Sequence, residues 1–178
     1  SEKRPETITA VSYRYPRVKP YQPRLTGRPD PIRQAEQTDD ITEDMTFQGS
    51  FWMMPRKHFV NNIKEMQVEG YGTFGEEPQE IGLKTQLGPW QGKIIRNAKT
   101  WYAHWAKPGR VWKELHEINR YKKVGIWTFD YWWNNRWDDA VLTFQDLVDK
   151  FWPLHKWPDD WRRDMERYDR YELSELWQ

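Results

Sequence analysis

Cysteine is absent from the 178 residues. Disulfides, zinc–thiolate sites and thiol nucleophiles are therefore excluded together, and redox compartment cannot be read from the chain. Long apolar runs are missing too: nowhere do about 18 apolar residues follow one another, so no transmembrane span is expected. Leucine, isoleucine, valine and phenylalanine total 33, or 19% of the chain, just under the level of about 20% at which disorder becomes the default. The four histidines, His58, His104, His116 and His155, form no HExxH or His-x-His arrangement. A metal site would need His104, His116 and Glu114 or Glu117 to be gathered entirely by the fold. No nucleophile elbow, Walker A or kinase signature is present. Gly70-Tyr71-Gly72-Thr73-Phe74-Gly75 has phosphate-loop spacing, but a helical reading precedes it and Glu76 and Glu77 follow, which would repel a phosphate. No catalytic residue, cofactor or metal is assigned, and the chain is read as not an enzyme.

What replaces the missing aliphatics is tryptophan, with 13 residues, and tyrosine, with 9. Seven of the tryptophans lie between Trp101 and Trp137. Each buried aromatic removes roughly 150–250 Å² from water, so these residues can anchor a small core. Their indole N–H and phenol O–H groups then need partners when buried. Twenty-two such groups exceed what one small core satisfies, which places several aromatics at an interface.

The net charge is +1, yet the charges are segregated. Residues 1–35 hold eight Lys/Arg and three acids, residues 36–46 five acids and no base, and residues 84–123 ten bases and two acids. Such blocks point to local electrostatic partners.

The pattern predicts a mainly α chain: a small irregular body of about four to six helices over 49–178, with a glycine-rich loop, behind a proline-rich arm over 1–48. Six of the 12 prolines lie in the arm, and proline fixes φ while biasing its predecessor away from helix. The arm is expected to be extended and to lie on another subunit, with Tyr13, Tyr15 and Tyr21 as anchors and Arg17 making charged contacts. The acidic stretch 36–45 reads as a linker. Helices are expected from Pro55 to about Gln67, over 90–106, over 110–121, from Asp138 to Pro153, and from near Pro158 onward. Residues 69–89 read as a long loop. Residues 126–137 fit either a strand or a helix, and the helical neighbours favour a helix.

Helices 90–106 and 110–121 would make a basic, aromatic hairpin. Trp101, Trp105 and Trp112 are its partner-binding candidates, and Lys93, Arg96, Lys99, Lys107, Arg110 and Lys113 its basic patch. Lysine and arginine interleaved with aromatics suit anionic lipid headgroups or RNA. The bland alternative is a core face opposite a solvated one.

No motif assigns a family. In style, with an aromatic-heavy helical body, proline-rich arm and segregated charges, the chain resembles an accessory subunit of a mitochondrial complex. That resemblance implies a non-catalytic, structural role in a respiratory complex or ATP synthase, peripheral to the inner membrane, with other protein subunits as partners. The start at Ser1 is compatible with removal of Met or of a targeting leader. The alternative is a mitochondrial ribosomal protein contacting rRNA through 84–123, which the near-neutral total disfavours. Third is a stand-alone enzyme or binding module, including one that stacks sugars on exposed indoles.

Overall fold

Asp30-Pro31 opens the first helix for a plain reason. The Asp30 carboxylate accepts from the Ile32 and Arg33 amides at 3.0 and 3.2 Å, and proline in the first turn lacks only an amide that would be orphaned anyway. In the computed structural model, which describes residues 6–7, 10–13, 25, 27–49, 51–66, 77–102 and 127–163 (of 6–7 and 101–102 the backbone alone), this helix is α1, Pro31–Glu36. The same carboxylate takes the Ser12 hydroxyl at 2.6 Å. One buried aspartate thus caps a helix and ties it to a strand.

The strands form three two-stranded antiparallel ladders. β1 (Glu6–Thr7) pairs with β6 (Trp101–Tyr102), β2 (Val11–Tyr13) with β3 (Gly27–Pro29), and β4 (Ile41–Asp44) with β5 (Ile94–Asn97). In the last ladder Thr42 lies opposite Arg96 and Glu43 opposite Ile95. Alternation then turns Arg96 inward, where it is buried, and Ile95 outward.

Four further helices follow, and a last one is described over 161–163. α2 starts at Arg56–His58 behind Pro55 and widens into a π-helical turn, Phe59–Ile63. α3 is Glu77–Leu87. α4 is described over 127–133. α5, Phe144–Lys150, carries a complete capping box: Thr143 accepts from the Asp146 amide at 3.1 Å, and Asp146 accepts from the Thr143 amide at 2.8 Å. Thr143→Ala should cost about 1 kcal/mol, read as a shift of the urea midpoint. The Thr143 bonds hold the Asp146 carboxyl below its ordinary 3.8. Its contribution is therefore present above that value and fades as pH falls through the depressed one. The deficit of Thr143→Ala should shrink in the same window.

The core is aromatic. Trp133 packs on Phe129 at 4.8 Å between ring centroids, on Phe144 at 5.6 Å and on Trp157 at 6.4 Å. Trp161 and Trp152 extend the stack. Tyr13 and Leu25, from the supposed arm, are fully buried in this cluster with Met45. The Tyr13 ring lies 5.8 Å from Phe144, and its carbonyl accepts the Trp157 indole N–H at 2.8 Å.

Several expectations are corrected here. The described part of 1–48 is not a free arm: Tyr13 is interior, because its ring fills the α4–α5 core, and it is no exposed anchor. Within the acidic linker, Ile41–Asp44 is a strand. Over its described part, helix 90–106 is replaced by β5 and β6, since the inward position of β5 is an arginine and the period of two was disguised. Part of the loop 69–89 is helix α3. The helix expected from Asp138 begins only at Phe144, because the Val141 and Leu142 amides are both taken by the Leu87 carbonyl, at 2.8 and 3.1 Å. The helical choice for 126–137 matches α4. A small irregular helical body is present, but with antiparallel ladders beside it, so the described chain is not plainly mainly α. Residues 103–126 lie outside the described residues; of the helix expected from near Pro158, residues 161–163 are helical and everything beyond 163 lies outside them.

Candidate interaction surface

Helix α3 is the platform for the surface that stands out. Its residues 80–87 are buried on every side, and its polar side chains reach partners around the whole circumference. Lys84 Nζ lies 2.8 Å from Glu80, donates to the Glu65 carbonyl at 2.6 Å, and sits 5.7 Å from the centre of the Trp137 ring. With these directions occupied, this lysine is a strut, unlike a nucleophilic amine that must present a free lone pair. Gln86 Nε2 donates to the Met45 carbonyl at 2.6 Å. Tyr131 stands nearby with its phenol pushed up by burial and by the charges of Asp138, Glu80 and Asp139.

α2 and Trp90 are bolted to this platform. Asn62, buried, donates to the Lys84 carbonyl at 2.8 Å and accepts from the Trp90 amide at 3.2 Å. His58 Nε2 meets the Thr85 hydroxyl at 3.0 Å, and the His58 ring stands edge-on to Trp90 at 5.6 Å. Gly88 sits in the same knot: a Cβ there would lie 2.5 Å from the Lys84 carbonyl and 2.9 Å from Trp137, so no larger residue fits without movement. Upstream, Trp52 rests edge-on against Phe47 at 6.2 Å.

These anchors hold a set of large apolar side chains in water. Phe51 is 47% exposed, Trp52 41%, Met53 85%, Val60 53%, Trp90 44% and Phe59 37%. Six such residues on segment 51–60 and its neighbour Trp90 are more than the scattered apolar exposure normal for a surface. Aromatic residues, methionine and arginine are the residues enriched in protein interfaces. Sequence reasoning passed over this segment, although four large apolar residues in a row, Phe51-Trp52-Met53-Met54, were a readable signal.

Burial holds the His58 imidazole below its ordinary 6.5. A depressed value means stability that is present above 6.5 and lost as pH falls through the lowered one. Acidification from pH 7.5 to 5.5 should therefore loosen the α2–Trp90 mount. Urea midpoints should fall further across that interval in the parent than in His58→Gln.

The sites expected from sequence fare unevenly. Arg96 leaves the basic patch: its guanidinium is buried, 3.2 Å from Asp44, and donates to Thr42 Oγ1 at 3.1 Å. Lys93 and Lys99 are exposed but already face Glu43 and Asp40. Trp101 is in β6, paired with Thr7 of its own chain; its side chain is not among those described. Tyr15, Arg17, Tyr21, Trp105, Trp112, Lys107, Arg110 and Lys113 all lie outside the described residues, as do His104 and His116. Among the described residues, no cluster of three or more His, Cys, Asp or Glu is placed to hold a metal ion, and no helix is long and apolar enough to cross a membrane. No protein-family model, curated protein or solved structure matches the chain.

Proposed function

We propose that the chain is a docking unit of a larger protein assembly, and that the face formed by segment 51–60 and Trp90 is covered there by another protein surface. The observation that carries this reading is Met53, 85% exposed between Trp52 and the α2 helix. Leaving so much apolar area in water has no benefit for an isolated fold. A separate subunit and another domain meet the same physical demand. The finer form of the reading is a structural accessory subunit of a mitochondrial inner-membrane energy-converting complex. It is supported by the style of composition: abundant tryptophan, segregated charge and no cysteine. Substituting Phe51, Trp52 and Met53 together by serine tests the docking reading. The variant should still unfold cooperatively in urea, with some loss of stability from the Trp52–Phe47 contact, while the chain shifts from a large particle to the size of the lone polypeptide on native sizing. A variant that stays in the large particle contradicts it.

One observation favours a second reading. Trp52 and Trp90 are rigidly mounted yet exposed, which suits stacking on the apolar face of a sugar ring. Binding to defined oligosaccharides that disappears in Trp90→Ala would select it.

A further inference from the structure

Among the described residues the exposed bases that face no carboxylate are Arg28, Arg56, Lys57 and Lys156, and only Arg56 and Lys57 adjoin each other and the exposed apolar segment. Among the described residues, most exposed bases elsewhere already face a carboxylate of the same chain: Lys64 meets Asp139 at 2.6 Å, Lys93 and Lys150 meet Glu43, Lys99 meets Asp40, and Arg136 meets Asp130 at 3.0 Å. Arg56 and Lys57, at the start of α2, are exposed and face none. Lys57 Nζ instead lies 5.8 Å from the centre of the Trp90 ring. Segment 51–60 contains no acid at all. Segment 51–60 thus combines exposed apolar side chains with two positive charges that face no carboxylate among the described residues.

We infer that the occupant of this face is a protein surface whose apolar contact is edged with aspartate or glutamate. This inference rests on the docking reading above and adds the chemistry of the partner. Oppositely charged rims steer encounter and reject wrong partners, and a partner with lysines at the same place would set like charges together beside buried apolar area. An anionic membrane is the competing occupant. Recognition of that kind uses clusters of about four to eight bases, and this face has two. The enrichment in methionine and aromatics with a single arginine fits a protein contact better.

Three labelled amphipathic helical peptides with one shared apolar face, rimmed by Glu, Gln or Lys, provide the probe, titrated against the full chain by fluorescence anisotropy. The Glu-rimmed peptide should bind about tenfold tighter than its Gln twin, and the Lys-rimmed one weakest. High salt should compress this order. In the double variant Arg56→Glu/Lys57→Glu the order should invert, while Lys156→Glu, at a distant exposed site, should leave it unchanged. Equal binding of the Glu and Gln peptides overturns the inference and leaves the docking reading standing if Trp52→Ser weakens both alike. Absence of binding by all three overturns the inference as well. So does capture of the chain by phosphatidylserine-containing vesicles, dependent on Arg56 and Lys57, that outcompetes the peptides.

Discussion

Replacing Arg96 with methionine is expected to cost about 3–5 kcal/mol of folding stability, the usual result of removing one partner from a buried ion pair. Arg96 and Asp44 are each about 3% exposed at the side chain and 3.2 Å apart. Gln37 Nε2 also donates to the Asp44 carboxylate, at 3.0 Å. Even with these partners, burial pushes the Asp44 carboxyl above its ordinary 3.8, outweighing the help from Gln37, Arg96 and Arg33. Without the guanidinium it should rise further. An acid whose folded value is raised favours the fold in its protonated form, so the penalty is full above that raised value and lessens as pH falls through it. The deficit of Arg96→Met in urea unfolding should therefore be smaller at pH 4.5 than at pH 7.5, and adding Asp44→Asn should recover part of it. A loss below about 0.5 kcal/mol would mean that β4 and β5 do not trap this pair.

Tyr13→Ala should cost a similar amount, about 3–5 kcal/mol, as large-to-small changes at buried aromatics do. The ring is fully buried beside Phe144, and the residue sits between the β2–β3 ladder and the Trp157 indole. A detachable arm predicts the opposite: truncating an exposed tyrosine would change stability by less than about 0.5 kcal/mol. Chemical denaturation of the two proteins side by side decides between a segment that belongs to the core and one that only leans on it. An unchanged midpoint in Tyr13→Ala would return the N-terminal residues to the arm description.

Legibility in the sequence followed how each element earns its place. A segment stabilised by an apolar stripe could be read: α5 shows Phe144, Leu147 and Val148, although its start was placed too early, whereas α4, with aromatics at 127, 129, 131 and 133, fitted a strand as well as a helix. The start of α2 behind Pro55 was legible from a proline at a helix entrance; the same signal at Asp30-Pro31 was passed over among the arm's other prolines. α3 was hidden because it is buried all round while carrying Glu80, Lys84, Thr85 and Gln86, whose partners are distant in sequence. No periodicity survives in such a helix. β5 was hidden by an inward arginine, since a buried Arg96 makes sense only once Asp44, two residues along β4 from its ladder partner Thr42, is there to pair with it. The N-terminal segment misled through its prolines, which argue correctly against helix but say nothing about whether Tyr13 and Leu25 reach the core. For the candidate surface, the composition argument that some aromatics must remain outside the core was sound. Among the described residues the large apolar side chains left outside are Phe51, Trp52 and Met53, together with Trp90 just beyond α3; the side chains of Trp101, Trp105 and Trp112 lie outside the described residues.

The claim that this apolar face is built to be covered by protein is open to direct measurement. A photo-crosslinking amino acid placed at position 53 and irradiated in the cells that make the chain should give one discrete adduct of higher mass. The same group at Asp159, an exposed polar site, should give none. That adduct should be lost when Trp52 and Trp90 are changed to serine. Equal, diffuse labelling from both positions, or label found only on lipid or glycan, would contradict the account.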